Sequence, residues 1–278
     1  MRQSPVFGAS ICALCWAASA SAGVIVSSTQ IKLDTKQASP MTVSVETDRL
    51  KVVSPEATVI YRGDLNRMWI VDLARRSYME MTPETIQRMS SQMAGAQAQL
   101  GAAQAQLQAQ MAQMPPEQRA MMQQMLAGRG LGGAGAGTAG PPQIAYAKAG
   151  GSKTVAGFNC DLYRMTANGQ PEQDLCIAPI GSAGLGAADF QVMEKFAGFV
   201  APLASSPMAP KNAYMNWNEM NRAIGFAGMP LDTIIYIQGR PSIEQGVTKI
   251  ERKGIPAAEF ELPAGLTKQD MPMGPPGR

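Results

Sequence analysis

The feature that most constrains the fold is an interruption in the strand pattern. Residues 83–142 lack such a pattern, whereas short strand patterns precede and follow them. A helix is predicted to begin at Pro83, because Thr82 is a residue type favoured at the N-cap and proline is favoured at the first helical position. Apolar residues then recur at alternating steps of three and four, which predicts a long helix with one apolar seam. The seam residues are Ile86, Met89, Met93, Ala96, Leu100, Ala103 and Leu107.

The interruption ends in a segment of a different kind. Pro115 and Pro116 break the helix, and residues 117–127 predict a second, short helix. The glycine-rich residues that follow are typical of a flexible linker. The predicted divisions after residue 22 are an N-terminal part of the body (23–82), a Gln/Met/Ala-rich helical insert (83–127), a linker (128–142), a C-terminal part of the body (143–265) and a disordered tail (266–278).

Both parts of the body are rich in short strand patterns between turn-forming residues. Strands are predicted at 24–33, 41–53, 58–62, 67–73, 77–81, 143–149, 232–239, 246–253 and 258–262. Helices are predicted at 187–203, where one face is apolar, and at 212–224. Strands and helices in separate runs indicate an α+β fold, and the first five strands suggest an antiparallel meander.

Two cysteines, Cys160 and Cys176, lie in the body, and their surroundings predict a β-hairpin. Asn168 and Gly169 form a strong two-residue turn signal, and both cysteines are eight residues from Asn168. Folding the chain there brings the cysteines roughly opposite each other, within reach of a disulfide. The close spacing of a redox-active pair is absent, so a structural disulfide is favoured.

The first 22 residues predict a cleavable signal peptide. Arg2 is followed by an apolar run over residues 6–18 and by an A-x-A site that ends at Ala22. This run is too short for a membrane span, and no later run reaches about 18 apolar residues. We therefore expect an exported, periplasmic protein without a transmembrane segment.

Composition argues against most enzyme classes. The chain has no histidine, which removes the commonest general base and the commonest zinc ligand. The glycine pattern at residues 128–133 follows a helix rather than a strand, so it does not fit a nucleotide site. Twenty methionines could offer copper ligands, but their helical spacing favours packing. No catalytic residue, cofactor or metal is predicted, and the net charge of +3 without a basic cluster gives no indication of nucleic acid binding.

Short motifs along the body resemble a family of exported bacterial proteins classed as a domain of unknown function. The motifs are Tyr61-Arg62-Gly63-Asp64, Met68-Trp69-Ile70-Val71-Asp72, Tyr78-Met79-Glu80-Met81, Gly157-Phe158-Asn159-Cys160-Asp161-Leu162-Tyr163-Arg164, Gly228-Met229-Pro230-Leu231 and Phe260-Glu261-Leu262-Pro263-Ala264-Gly265. That family is similar in pattern to the LolA and LolB lipoprotein carriers. The resemblance implies an antiparallel, half-open β-barrel whose concave side is apolar and covered by helices. It does not imply lipoprotein traffic for this chain.

Two functions are compatible with these features. In the first, a non-enzymatic protein binds an apolar or lipid-like ligand in the concavity. The residues predicted to line that site are Phe190, Phe196, Phe199 and Trp217. In the second, an envelope interaction protein uses the Met/Gln-rich helix at 84–114 for self-association or for binding a partner protein.

Overall fold

The computed structural model of the chain describes residues 22–112, 115, 143–204 and 217–270. The predicted signal peptide (except Ala22), the second helix of the insert, the linker and residues 271–278 of the predicted tail lie outside the described residues. None of the described helices combines the length and apolar character that a membrane-spanning segment requires.

The described chain contains twelve strands and three α-helices. The strands are β1 Ala22–Lys32, β2 Gln37–Glu46, β3 Arg49–Val53, β4 Thr58–Arg62, β5 Arg67–Asp72, β6 Ser77–Met81, β7 Ile144–Val155, β8 Phe158–Ala167, β9 Gln170–Pro179, β10 Gly228–Ile237, β11 Arg240–Gly254 and β12 Thr267–Lys268. The helices are α1 Pro83–Ala112, α2 Gln191–Ala204 and α3 Trp217–Ile224.

All twelve strands belong to one open sheet, in the order β12-β6-β5-β4-β3-β2-β1-β11-β10-β9-β8-β7. Every neighbouring pair is antiparallel except β12 and β6. The strands before and after the helical insert join where β1 pairs with β11, so the two parts of the body form one sheet. The predicted α+β class is confirmed.

Three predicted elements differ from the structure. The strand predicted at 41–53 is two strands, β2 and β3, with a turn between them. The strand predicted at 258–262 is instead a 3₁₀ turn, Ala257–Phe260. The first part of the helix predicted at 187–203 is also a 3₁₀ turn, Ala187–Phe190, which leads into α2.

The disordered tail predicted from residue 266 is wrong in its first residues, because β12 pairs in parallel with β6. The backbone N–H of Thr267 donates to the carbonyl of Arg76 at 3.0 Å, and that of Gln269 donates to the carbonyl of Tyr78 at 2.8 Å. The segment therefore satisfies backbone groups of β6 that would otherwise form an unpaired edge.

Strands β4 and β5 are covered on both faces, which follows from their almost continuous apolar sequences. Tyr61 and Met68 belong to the core beneath α1 and α2, which we call the helix face of the sheet. Ile60 and Trp69 point to the opposite face, where they pack with Phe260 of the C-terminal 3₁₀ turn. The second face carries a further apolar cluster under α3, formed by Tyr163, Leu175, Ile177 and Met220.

The long helix α1 packs on the body only through its first turns. Thr82 caps it, with the backbone N–H of Thr85 donating to Thr82 Oγ1 at 3.3 Å. Ile86 is fully buried and Met89 is half-buried against the core. Over residues 94–110, every side chain that the structure describes is exposed. The helix is about 45 Å long, so its second half extends beyond the contacts made by the first.

Candidate functional site

The start of α2 is anchored to the sheet by a carboxylate. The Asp189 carboxylate accepts two hydrogen bonds from the Arg252 guanidinium of β11, at 3.1 and 2.6 Å, and a third from the backbone N–H of Gly186 at 2.7 Å. Burial of this carboxyl opposes ionisation, but the bonds from Arg252 and Gly186 and the guanidinium charge outweigh it and lower the pKa of Asp189. At neutral pH the carboxylate is therefore ionised and fixes the position of α2.

Three aromatic rings connect α2 to the sheet. The ring of Phe196 meets that of Tyr61 edge-on, with centroids 5.3 Å apart, and the ring of Phe199 lies 5.2 Å from the same tyrosine. Pairs at these separations contribute about 0.5–1.5 kcal/mol beyond the area that they bury. Val192 and Val200, which are fully buried, complete the contact. The middle of α2 is therefore packed firmly on β4.

A groove remains open beside these rings, where α1, α2 and the end of β4 meet. Its volume is about 510 Å³. We call it the α1/α2 groove; it is lined by Tyr61, Gly63, Asn66, Pro83, Ile86, Gln87, Lys195, Gly198, Phe199 and Pro202. Its walls thus combine apolar surfaces from three elements with a few polar groups.

The polar groups of the groove come from β4, from the turn that follows it, from α1 and from α2. Lys195 forms an ion pair with Asp48, the residue just before β3. Burial, reinforced by the negative charge of Asp48, raises the pKa of Tyr61. The phenol is therefore uncharged at neutral pH, and the groove offers one paired ammonium group, the two amides of Asn66 and Gln87, and one neutral hydroxyl.

The structure brings together three of the four residues predicted to bind a ligand. Phe199 lines the groove, Phe196 packs behind it on Tyr61, and Phe190 packs on the same core from the 3₁₀ turn that precedes α2. Trp217 begins α3, which packs on the second face of the sheet through Met220. The ligand role of all four residues stays a prediction.

Sequence patterns did not point to the other walls of the groove. Tyr61 and Ile86 have the sequence patterns of ordinary core positions of a strand and a helix. The packing of α2 on β4 makes Tyr61 a neighbour of Phe199, and the contact between α1 and α2 does so for Ile86. The sequence did not indicate Gly198 either, although the absence of a side chain at this position leaves space in the groove. Across the described part of the chain, no three Cys, Asp or Glu residues are grouped so that they could hold a metal ion.

Comparison with known sequences gives one family. Residues 141–266 match the family described as Domain of unknown function (DUF4412). The predicted resemblance to an exported family of unknown function thus has a counterpart in the C-terminal part of the body. No curated protein matches the chain.

Comparison with solved structures gives only distant similarity. PNGF-II is 6% identical with a TM-score of 0.36, and the match covers 90% of this chain and 31% of that protein. MucB is 9% identical with a TM-score of 0.35, covering 89% and 60%. The MucA/MucB complex of Pseudomonas aeruginosa is 8% identical with a TM-score of 0.37, covering 89% and 58%. The chain thus spans about a third to three fifths of the length of these structures, and no conclusion on function follows from them.

Proposed function

We propose that this chain is an exported, non-enzymatic protein of the bacterial periplasm that binds an apolar or lipid-like ligand in the α1/α2 groove. The observation that carries the proposal is the groove itself, a space of about 510 Å³ beside Tyr61, Ile86 and Phe199 on the helix face of an open sheet. Its volume lies within the range of about 300–1,000 Å³ that is typical of ligand sites. Helices across one face of an open sheet also agree with the half-open barrel that the LolA and LolB resemblance implies.

The chemistry of the walls favours a ligand with an apolar body and a small polar end. Ile86, Phe199 and Pro202 offer apolar surface, whereas Gln87 and Lys195 offer donors. The ammonium group of Lys195 is already paired with Asp48, so a strongly charged ligand would have to compete for it. A single acyl chain with a carboxyl or ester end meets both conditions.

Gly198 allows the proposal to be tested by filling the groove. A Cβ atom added there meets no atom within 4 Å, and the position is helical, so a larger residue costs no backbone strain. We expect Gly198→Phe to weaken binding of the fluorescent fatty acid cis-parinaric acid at least tenfold, because the ring occupies the ligand's space. Binding is measured by fluorescence titration below the critical micelle concentration.

The matched control is Gly101→Phe, the same change at an exposed position of α1 that also has no atom within 4 Å. It should bind the probe like the wild type, and both variants should keep the unfolding midpoint. The carrier function is wrong if the wild type shows no saturable binding, or if Gly198→Phe binds the probe as tightly as Gly101→Phe does.

A second function rests on a different observation, the exposed second half of α1. Between Arg88 and Glu117 the chain has no charged residue, although the apolar seam continues through Ala96, Leu100, Ala103 and Leu107. Leu107 is 36% exposed in the monomer. Because no charged residues flank the seam, it cannot select a partner helix of opposite charge. A second copy of the same helix is therefore its most compatible partner. The alternative is therefore an envelope scaffold that self-associates through α1.

Sedimentation velocity over a range of protein concentrations distinguishes the two functions. Self-association through the seam predicts a dimer that is lost in the double variant Leu100→Lys and Leu107→Lys, because two ammonium groups would be buried without partners. The control double variant, Gln99→Lys and Gln106→Lys, adds the same charge beside the seam and should still dimerise. A wild type that stays monomeric at every concentration rules the alternative out.

A further inference from the structure

A second cavity lies on the face of the sheet opposite the α1/α2 groove, close to the edge strand β7. Its volume is about 410 Å³. Its lining includes Ile177, which packs with Met220 of α3. It also includes Phe226, two residues after the end of that helix. We call it the edge pocket; its polar walls are Ser152 and Thr154 of β7 and Asn159 and Asp161 of β8.

The charges around the edge pocket are already paired. The Lys148 ammonium group lies 2.7 Å from Asp161 Oδ2. Lys153 also borders the pocket, but it lies opposite Cys160 in the register of β7 and β8, so its side chain and its ion pair with Asp232 are on the helix face. An ionic ligand in the pocket would have to compete with the pair of Lys148 and Asp161, so the pocket favours a neutral ligand.

The remaining polar groups form a set of neutral donors and acceptors. Thr154 Oγ1 donates to Asn159 Oδ1 at 2.8 Å, which directs the amide N–H₂ of Asn159 away from that bond. Asp161 keeps Oδ1 as an acceptor, since Lys148 uses Oδ2, and Ser152 adds a hydroxyl. Within a few ångströms the pocket thus offers an N–H donor, a carboxylate acceptor and a hydroxyl that does both.

Part of the lining of the edge pocket is apolar, and a crosslink holds one of the strands that carry its polar groups. Phe226 and Pro179 supply apolar surface. The disulfide of Cys160 ties the start of β8 to β9; the cysteine borders the pocket through its backbone, since its side chain is buried on the helix face. Polar groups on tied strands lose little freedom when a ligand binds, which favours affinity for a small molecule.

We propose that the edge pocket binds a neutral saccharide. A pyranose ring has an apolar face of C–H groups and a rim of hydroxyls that both donate and accept, and these two surfaces match the apolar and the polar parts of the lining. The ring would lie against Phe226, and neighbouring hydroxyls would meet the Asn159 amide and the free oxygen of Asp161. A volume of about 410 Å³ accommodates one or two sugar residues.

NMR titration of the full mature chain tests the site, with chitobiose and maltose as probes. We expect at least one of them to shift the resonances of Ser152 and Asn159 in a saturable manner. Phe226→Leu keeps an apolar side chain on the cluster but removes the flat ring, so it should raise the Kd about tenfold without lowering the unfolding midpoint. Asn159→Ala should do the same, whereas the exposed Gln92→Ala of α1 should leave the Kd unchanged.

The proposal is overturned if neither sugar shifts these resonances, or if both pocket variants bind as the wild type does. It is equally overturned if trialanine shifts the same resonances and competes the sugars away at lower concentration, since the pocket would then be a peptide site. Gly198→Phe, which fills the groove on the other face, should not change saccharide binding. The failure of one site can therefore be told apart from the failure of the other.

Discussion

Replacing Phe260 by alanine is expected to lower the free energy of unfolding by about 3–5 kcal/mol, the usual cost of emptying a fully buried phenylalanine site. Its side chain is 0% exposed and packs with Ile60, Trp69 and Val71. The cost should lie at the upper end, because Phe260 comes from a separate C-terminal segment that has no other fully buried side chain among residues 256–270. Urea denaturation followed by tryptophan fluorescence measures the change.

The same segment supplies a control for this prediction. Glu259 precedes Phe260 and accepts a hydrogen bond from Lys51 at 2.8 Å, but its side chain is 54% exposed. Exposed ion pairs contribute about 0–1 kcal/mol, so Glu259→Ala should change stability by less than that. If Phe260→Ala costs no more than Glu259→Ala, the C-terminal segment does not stabilise the second face of the sheet.

Elements bounded by strong local signals were predicted from sequence with the correct limits. Strands β4 and β6 begin and end at the predicted residues, and α1 begins at Pro83. In each case the limit is set by a turn former or a capping residue within a few positions, which is information that a local pattern contains.

Elements whose conformation depends on distant contacts were not predicted correctly. Residues 258–262 alternate between small or apolar and acidic residues, which is typical of a strand, yet they include the end of a 3₁₀ turn. The turn is favoured because it buries the side chain of Phe260 in an apolar cluster with residues of β4 and β5. Such a partner is far away in sequence, so alternation alone could not decide between the two conformations.

The candidate site shows the same division. The apolar face of α2 was predicted, and with it Phe196 and Phe199, because their spacing is local. The ring that both contact, Tyr61, lies on β4, whereas α3 packs on the other face of the sheet because Met220 is buried there. Which face a helix covers is settled by chain topology, and nothing in the spacing of aromatic residues contains that information.

The predicted disulfide between Cys160 and Cys176 is confirmed, with a small difference in geometry. The turn centres the hairpin between Asn168 and Gly169, and a bulge between Met165 and Thr166 shifts the register by one further position. Cys176 therefore lies opposite Leu162 rather than Cys160. The bond is therefore diagonal across β8 and β9, with Cα atoms 5.2 Å apart. Both cysteines are buried on the helix face, where they join the main core.

Replacing both cysteines by alanine is expected to lower the free energy of unfolding by about 3 kcal/mol, because the unfolded chain regains the freedom of a loop of 16 residues. Denaturation of the oxidised wild type, the reduced wild type and the double variant measures the effect. The reduced wild type should resemble the double variant, since both lack the crosslink, and reductant should leave the variant unchanged. Two free thiols in the native oxidised protein, or equal stability of the oxidised and reduced wild type, would contradict a structural disulfide.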